Sequence, residues 1–467
     1  MDQAGYDYDL LVIGSGPAGQ KAAIQAAKLR KRVAVVERRS VVGGVCINTG
    51  TIPSKTLREA ALYLSGYREH AFYGASYAVK QTITMPDLLA RCHYVIEHEN
   101  DVIRHQMVRN GIEVIGADAS FTGPHTVHLR SLDGRGSRDV TAGAVVIATG
   151  TTPVVPPDVS LDGRRVVDSD GILTLEQVPR TLVVVGAGVI GCEYAAIFAT
   201  LGVRVTLIDA RAQLLPFVDR ELVDALEYHL RTNRVLLRLG ETVSRLRVTE
   251  DGRVWVGTAS GKQMMADCAL FCAGRRGAID SLNLETVGLT TDRRGQIEVN
   301  EHYQTTVPYI YAAGDVIGFP SLASTSMEQG RLAACHAFGV RATSRPEYYP
   351  YGIYTIPEIS MVGKTEEELT SEGVPYEIGK AQYKEIARGQ IIGDTTGVLK
   401  LIFHFETRKL LGVHIIGDGA SELVHVGQAV LAFGGTIDYF VNTVFNYPTL
   451  AEAYKVAALD GINRLDG

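Results

Sequence analysis

The sequence predicts an α/β fold with two repeated open-sheet domains, followed by a smaller C-terminal α+β domain. The repeat consists of an apolar strand, a glycine-rich turn, a helical stretch and a second strand that ends in an acidic residue. It occurs around Gly14–Gly19 and again around Gly186–Gly191. From about Arg345 the glycine turns stop, and alternating strands and apolar helices follow. Two copies of so specific an arrangement indicate this fold class.

Composition agrees with a folded protein of several domains. The 467 residues are 46% hydrophobic and 21% charged, and the net charge of −6 gives no electrostatic reason to bind nucleic acid or an anionic membrane. The six cysteines are scattered, as expected of reduced thiols. No apolar run approaches the roughly 20 residues that span a bilayer, and the first residues do not resemble a signal peptide. We therefore expect a cytoplasmic protein with no membrane or nucleic-acid partner.

The first repeat has the spacing of a Rossmann-like dinucleotide-binding turn. Gly14 permits a tight turn after the strand, Gly16 lets the backbone approach a pyrophosphate, and Gly19 lets the helix pack on the sheet. The N-terminus of the helix offers free N–H groups and its positive dipole end to phosphates. Glu37 follows at about the spacing expected of an acid that accepts from ribose hydroxyls. This context favours a bound dinucleotide over a turn that serves packing alone.

The second repeat has the same parts at the same spacing. A strand over 181–185 is followed by Gly186, Gly188 and Gly191, a helix, and a second strand that ends at Asp209. The same physical roles apply to each glycine and to the acid. The chain is therefore expected to bind two dinucleotides.

Three further strand ends carry candidate ligand contacts. Apolar strands end at Thr149 and Gly150, just before Gly274, and at Gly314 and Asp315. An acid at the carboxyl end of such a strand can accept a hydrogen bond from a sugar or ribitol hydroxyl. A helix cap is the alternative for Asp315, but the next helix is expected to begin several residues later.

A long polar helix is expected over residues 85–110. It carries His93 and Glu97 four residues apart, a spacing that can ligate a metal ion. A solvated helix face explains the pair better, so we expect no metal site.

Segment 42–55 joins these features into a recognisable set. It contains Gly43-Gly-Val-Cys46 and Ile52-Pro-Ser-Lys55. With the glycine turns and the strand ends, it resembles the flavoproteins with two dinucleotide-binding domains that are related to glutathione reductase and lipoamide dehydrogenase. The resemblance covers essentially the whole chain, and it implies FAD in the first fold, a nicotinamide nucleotide in the second, and self-association as a homodimer or a higher oligomer. The implied domains are 1–150 with 281–344 for FAD, 151–280 for NAD(P) and 345–467 for the interface.

Two positions depart from the disulfide reductases of that family. Their redox pair is Cys-x4-Cys, whereas this chain has Cys46 and Thr51. Their C-terminal His-Pro-Thr…Glu motif supplies a base for the thiols, whereas this chain has Tyr447 and Glu452. Tyrosine side chains, with a typical pKa of about 10, cannot replace a histidine base with a pKa of about 6.5. Both parts of the thiol chemistry are therefore missing together.

What remains is a flavin and a nicotinamide site. Segments 353–360 and 445–459 are similar to the transhydrogenase branch of the same family. The resemblance implies a reversible ping-pong hydride transfer from NADPH through FAD to NAD⁺, of the Si-specific type. A quinone reductase of the same fold is the alternative, a disulfide reductase is disfavoured, and a non-enzymatic flavoprotein subunit is the least favoured.

The resemblance also assigns roles around the flavin. Lys55 would stabilise negative charge on the reduced ring and pair with Glu193, and Thr51 would lie against the ring as a small hydrogen-bonding group. Cys46 is either a reactive thiol or, as we favour, a buried and inert one.

The sequence gives opposing indications of the preference between NAD and NADP. Asp209 would accept from the 2′-OH of NAD and repel the 2′-phosphate of NADP, whereas Arg211 would pair with that phosphate, unless it is a plain surface arginine. The predicted FAD contacts are Gly14, Gly16, Gly19, Glu37, Arg38, Gly44, Cys46, Thr51, Lys55, Thr149, Gly150, Gly314 and Asp315. The predicted contacts of NAD(H) and NADP(H) are Gly186, Gly188, Ile190, Gly191, Glu193, Asp209, Arg211 and Gly274.

Overall fold

The computed structural model describes residues 5–134, 136–156, 159–342 and 347–465. The chain forms two compact units, each assembled from three separate stretches. The first unit comprises Met1–Thr56, Leu89–Val154 and Gly274–Ser344, and the second comprises Leu57–Leu88, Val155–Ala273 and Arg345–Gly467. The predicted division into three domains stays a prediction.

The strands and helices are as follows in chain order. The strands are β1 Tyr8–Ile13, β2 Val33–Glu37, β3 Glu113–Gly123, β4 Thr126–Ser131, β5 Ser137–Ile147, β6 Thr151–Pro153, β7 Val166–Asp168, β8 Thr181–Val185, β9 Arg204–Asp209, β10 Leu236–Leu239, β11 Val243–Val248, β12 Val254–Thr258, β13 Gln263–Ala266, β14 Cys268–Phe271, β15 Arg275–Gly277, β16 Ile310–Ala312, β17 Tyr351–Ile353, β18 Ile359–Gly363, β19 Tyr376–Gln382, β20 Val398–His404 and β21 Leu410–Ile416. The helices are α1 Pro17–Lys28, α2 Gly44–Asn48, α3 Thr51–Ser65, α4 His70–Tyr73, α5 Met85–Arg109, α6 Val189–Thr200, α7 Arg220–Thr232, α8 Ala323–Ala337, α9 Glu366–Glu372, α10 Ala387–Ile392, α11 Ala420–Ala432, α12 Asp438–Asn442 and α13 Glu452–Leu465.

The first unit is built on a parallel sheet. Strands β2, β1, β5 and β16 pair in parallel in that order, β3 adds to β2, and β3, β4 and β5 also form an antiparallel meander. Leu10, Leu11 and Val12 of β1 are fully buried, as the continuous apolar run predicts for a central parallel strand. Helices α1 and α8 pack closely, because Gly330 carries no Cβ that would overlap the carbonyl of Ala18.

Among the described residues, the second unit contains a parallel sheet and two antiparallel ones. The parallel sheet has the order β10-β9-β8-β14-β7, a small antiparallel sheet has the order β11-β12-β13, and the larger antiparallel sheet, on the C-terminal side of the chain, has the order β17-β18-β21-β20-β19. Helices α11 and α13 pack on this larger sheet. The predicted change from glycine-turn architecture to an α+β domain is confirmed.

Both predicted repeats are present, as β1-α1-β2 and β8-α6-β9. Helix α3 begins at Thr51, α6 begins at Val189, and β3 and β5 each extend over 11 residues. The predicted strand that ends before Gly314 is only three residues long, namely β16. The side chain of Asn300 accepts from two backbone N–H groups that follow it, which turns the chain before β16 can begin.

Lys400 forms an ion cluster in the second unit that the sequence did not predict. Its side chain on β20 is only 1% exposed. Its ammonium lies 2.9 Å from both carboxylate oxygens of Asp219 and also contacts Glu221 and Glu366. Buried charges need such partners. The three carboxylates lie close enough to hold a metal ion, but Lys400 already supplies them with a cation.

Within the described ranges, no helix is both long and apolar enough to cross a membrane.

Replacing Gly191 by alanine tests how tightly the second glycine turn is packed. A Cβ at this position would overlap the carbonyl oxygen of Gly186, so Gly191→Ala should destabilise the second unit by about 1–3 kcal/mol. Thermal unfolding measures the change. Gly188→Ala is the matched control, because a Cβ there meets no atom within 4 Å and the backbone φ of −79° suits alanine. Equal unfolding midpoints for the two variants would contradict the packing argument.

Candidate active site

The first glycine turn is shaped by close backbone contacts. Gly14 has φ +106°, and a Cβ on it would overlap the carbonyl oxygen of Ala148. A Cβ on Gly19 would overlap the carbonyl of Gly14, whereas the space beside Gly16 is open to at least 4 Å. No side chain of the described residues caps the N-terminus of α1 at Gly16. The turn therefore presents backbone N–H groups to open space, as a bound pyrophosphate requires.

Glu37 is tied to the turn rather than projecting freely. Its Oε2 accepts from the backbone N–H and the hydroxyl of Ser15 at 3.0 and 2.5 Å, and its Oε1 accepts from Arg39 N–H at 2.9 Å. The Ser15 hydroxyl oxygen in turn accepts from Gly43 N–H at 3.0 Å, which links the turn to the segment that contains Gly44. The sequence analysis assigned no role to Ser15, although the residue lies inside the glycine motif.

Cys46 and Thr51 lie side by side. Cys46 belongs to the short helix α2, Thr51 begins α3, and the Thr51 hydroxyl is hydrogen-bonded to the Cys46 sulfur. Burial raises the pKa of the Cys46 thiol, although this hydrogen bond acts in the opposite direction. A protonated thiol is a poor nucleophile. Thr51 stands at the sequence position, five residues after Cys46, where the disulfide reductases have their second redox cysteine.

Lys55 follows Thr51 by one helical turn. The two side chains share a face of α3. The Nζ atom of Lys55 lies 3.3 Å from the Ser54 hydroxyl, and its charge lowers the pKa of the Cys46 thiol. Lys55 belongs to the first unit and Glu193 to the second, so the predicted pairing of the two stays a prediction.

Glu193 is buried on α6 and held by a backbone contact. Its Oε1 accepts from the N–H of Tyr354 at 2.8 Å. The next residue, Thr355, accepts through its carbonyl from Nε of the buried Arg58 at 3.0 Å, and Arg58 also pairs with Glu358 at 3.4 Å. Arg58 and Tyr354 are separated from Glu193 by long stretches of sequence, so no local pattern could have identified them.

The strand ends of the first unit supply further polar groups. Thr149, just after β5, has a buried hydroxyl without a hydrogen-bond partner among the described residues. Burial raises the pKa of Asp315, while its charge interaction with Arg275 and hydrogen bonds from the hydroxyls of Thr151 and Ser326 act against that rise. An unsatisfied buried hydroxyl calls for a partner that protein atoms do not provide. These residues fit a bound FAD.

The neighbouring glycines complete these strand ends. The N–H of Gly314 donates to the Gln329 side chain at 2.9 Å, and the carbonyl of Gly274 accepts from Val154 N–H at 3.0 Å. Gly150 and Gly274 have φ values of +67° and +128°, which favour glycine.

The second glycine turn repeats the first. A Cβ on Gly186 would overlap the carbonyl oxygen of Cys272, and no described side chain caps α6 at Gly188, just before Ile190 in its first turn. Asp209 accepts from the N–H of Ala187 at 2.6 Å, as Glu37 accepts from Ser15. The second turn therefore also fits a pyrophosphate.

Arg211 pairs with Asp209 through two guanidinium nitrogens. Its Nε and Nη2 donate to the carboxylate at 2.9 and 2.8 Å. Burial alone would raise the pKa of Asp209, but the hydrogen bonds from Arg211 and Ala187 outweigh burial and lower that pKa. Arg211 is thus ion-paired with Asp209 rather than isolated on the surface, and its contact with a nucleotide stays a prediction. The contact of Arg38 with FAD stays a prediction.

The C-terminal pair differs from a histidine–glutamate dyad. Tyr447 is 68% exposed, and Glu452 begins α13 with one buried carboxylate oxygen that has no hydrogen-bond partner in the described ranges.

The chain matches the family model described as pyridine nucleotide-disulphide oxidoreductase over residues 8–330. The model of that family's dimerisation domain matches residues 349–458. The chain belongs to this family. The predicted fold class and the FAD cofactor of the family are thereby confirmed.

Named relatives indicate the branch of the family that this chain resembles. A soluble pyridine nucleotide transhydrogenase of Mycobacterium tuberculosis is 54% identical over 459 residues, which cover 98% of each chain. One from Enterobacter sp. is 48% identical, over 98% of this chain and 99% of the relative. The predicted resemblance to transhydrogenases is confirmed.

Solved structures agree with the fold. The LpdA protein of Mycobacterium tuberculosis has a TM-score of 0.88 at 27% identity, over 96% of this chain and 99% of that one. The HOCl-induced flavoprotein disulfide reductase RclA of Escherichia coli has a TM-score of 0.86 at 28% identity, over 97% of this chain and 99% of that one.

Restoring the missing sulfur tests the geometry of Cys46 and Thr51. Because the two side chains are in hydrogen-bond contact, Thr51→Cys should form a disulfide with Cys46 in the oxidised protein. Thiol titration of the denatured protein would then find fewer free thiols than in the wild type, although the variant has one more cysteine. Thr51→Ser is the matched control and should leave the thiol count unchanged. A full complement of free thiols in Thr51→Cys would show that the two positions do not face each other.

Proposed function

We propose that the protein is an FAD-dependent transhydrogenase that moves a hydride reversibly between NADPH and NAD⁺. The observation that carries this proposal is the hydroxyl of Thr51, which contacts Cys46 where a disulfide reductase has its second sulfur. A protein without that sulfur has no disulfide relay. The names of relatives at 47–54% identity agree with this function.

FAD, when bound, supplies the ring that accepts a hydride from one nicotinamide and returns it to another. The protein's own part is to bind, align and shield the reactants. The two glycine turns, with Glu37 and Asp209 fixed against them, provide the binding geometry. Both nicotinamide nucleotides would use the second fold in turn, which makes the cycle ping-pong. Holding reactants in line in this way is itself a large part of catalysis.

Lys55 and Glu193 are the residues to which we assign the electrostatics of the reaction. Lys55 would stabilise the negative charge that develops on the reduced ring. Glu193, held by the N–H of Tyr354 at 2.8 Å, would keep the lysine in place. Thr51 would add a hydrogen bond beside the ring without offering a redox-active group.

The proposal also covers the oligomeric state of the protein and its location in the cell. The match to a dimerisation domain over residues 349–458 supports self-association, for which we propose a homodimer. We also propose a cytoplasmic enzyme, because its relatives are named soluble transhydrogenases. Hydride transfer of the Si-specific type and any higher oligomer remain predictions from the family resemblance.

Rapid mixing distinguishes the proposed function from its alternative. Anaerobic reduction of the bound flavin by NADPH, followed by mixing with NAD⁺, should reoxidise the flavin rapidly, whereas mixing with a quinone should do so slowly. Flavin absorbance follows both reactions. Fast reoxidation by the quinone and slow reoxidation by NAD⁺ would favour a quinone reductase of the same fold.

Substitution of Lys55 tests its electrostatic role. Lys55→Met removes a cation beside the site where negative charge develops, so flavin reduction by NADPH should slow by on the order of 10²-fold. NADPH affinity should change much less, because the charge acts during transfer. Stopped-flow traces at several NADPH concentrations separate the two quantities. Lys55→Arg keeps the cation and serves as the control. A wild-type rate in Lys55→Met would remove this residue from the mechanism.

A further inference from the structure

The carboxylate of Asp209 has no acceptor position left over. Its Oδ1 accepts from the backbone N–H and the Nε of Arg211 at 2.8 and 2.9 Å. Its Oδ2 accepts from Ala187 N–H at 2.6 Å and from Arg211 Nη2 at 2.8 Å. An ionised carboxylate offers roughly four lone-pair sites. A ribose hydroxyl can therefore donate to Asp209 only if Arg211 first withdraws.

The first unit shows what the guanidinium replaces. At the equivalent acid, Glu37, the donors are the N–H and hydroxyl of Ser15 and the N–H of the residue two positions after the acid. The second turn has Ala187 in place of Ser15, and alanine has no hydroxyl. The guanidinium of Arg211 fills that gap. A fixed local donor in one fold thus corresponds to a long, rotatable side chain in the other.

Arg211 can leave Asp209 without any backbone movement. The carbonyl of Asp209 accepts from Glu241 N–H, and that of Arg211 accepts from Gly240 N–H, both at 2.9 Å, so the end of β10 holds both backbones. The Asp209 side chain is 7% exposed, whereas that of Arg211 is 49% exposed. Because the guanidinium already lies partly in solvent, a change of side-chain rotamer is enough to separate Arg211 from Asp209.

We propose that Arg211 is a two-position selector that lets one site accept both nicotinamide nucleotides, an inference that rests on the proposed transhydrogenase function. Paired with Asp209, Arg211 neutralises the acid and can turn its Nη1, which has no hydrogen bond among the described residues, toward the 2′-phosphate of NADP(H). Released from Asp209, it exposes the carboxylate, which then accepts from the 2′-OH of NAD(H). The same cation is a ligand for one nucleotide and a competitor of the other.

The selector predicts effects of opposite sign. Arg211→Ala should weaken NADP⁺ binding roughly tenfold or more, because a charge-assisted contact is lost, and should tighten NAD⁺ binding, because the competitor of the ribose is gone. Asp209→Asn should weaken NAD⁺ binding while NADP⁺ binding is kept or tightened. Calorimetric titration of the oxidised holoenzyme measures all four affinities.

Arg204→Ala provides the matched control. Arg204 is an exposed arginine at the opposite end of β9, about 16 Å from Asp209 by strand geometry, and its loss should change neither affinity. Equal weakening of both nucleotides by Arg211→Ala, or weaker NAD⁺ binding, would overturn the selector. Adenosine 2′,5′-bisphosphate and 5′-AMP should repeat the opposite shifts, since they differ only in the 2′-phosphate.

These titrations involve no turnover, so they can contradict the selector without contradicting the proposed function. If reduced flavin is not reoxidised by NAD⁺ but the opposite shifts hold, the selector stands and the transhydrogenase assignment falls. If NAD⁺ reoxidises the flavin rapidly but both affinities shift in the same direction, the transhydrogenase assignment stands and the selector falls.

Discussion

In each glycine-turn unit, the acid at the end of the second strand is hydrogen-bonded back to the turn that follows the first strand. Glu37 accepts from Ser15 and Asp209 accepts from Ala187. This contact fixes the turn, and the turn fixes the start of the helix that faces the ligand. On Glu37 the bound donors leave one acceptor position open to a sugar hydroxyl, whereas on Asp209 the guanidinium of Arg211 fills that position. Without the contact to the turn, the N–H groups and the carboxylate could not be positioned together against one nucleotide.

Segment 42–55, which contains Cys46, is held by the same hydrogen bonds as the first glycine turn. Ser15, which donates to Glu37, also accepts from Gly43, so the nucleotide turn and the redox segment share one hydrogen-bond network. On that support a single exchange of sulfur for oxygen, at Thr51, changes the chemistry without changing the fold. Tyr447, in place of the family's histidine, agrees, since a protein with no thiol pair has no use for a base beside it. Function in this family is thus decided by a few atoms on a common scaffold.

Other contacts stabilise the structure although no local sequence pattern indicates them. Lys400, Asp219 and Glu366 lie far apart in the chain and meet only because antiparallel strands and a helix N-terminus converge in the second unit. Arg58 reaches Thr355, next to the residue that holds Glu193, by the same long-range route. Removing one partner of such a buried pair leaves the other charge buried and unpaired, which lowers the free energy of unfolding far more than the loss of a surface pair does.

The sequence by itself determined the two repeats, the acids, the change of architecture near residue 345 and the missing sulfur, because glycine turns and apolar periodicity are local. It could not place Arg58 or Tyr354 beside Glu193, nor Lys400 among its carboxylates, because these contacts depend on how distant segments pack. Nor could it show that Arg211 saturates Asp209. A motif states which side chains are available, and only the tertiary structure decides which donors and acceptors are already in use.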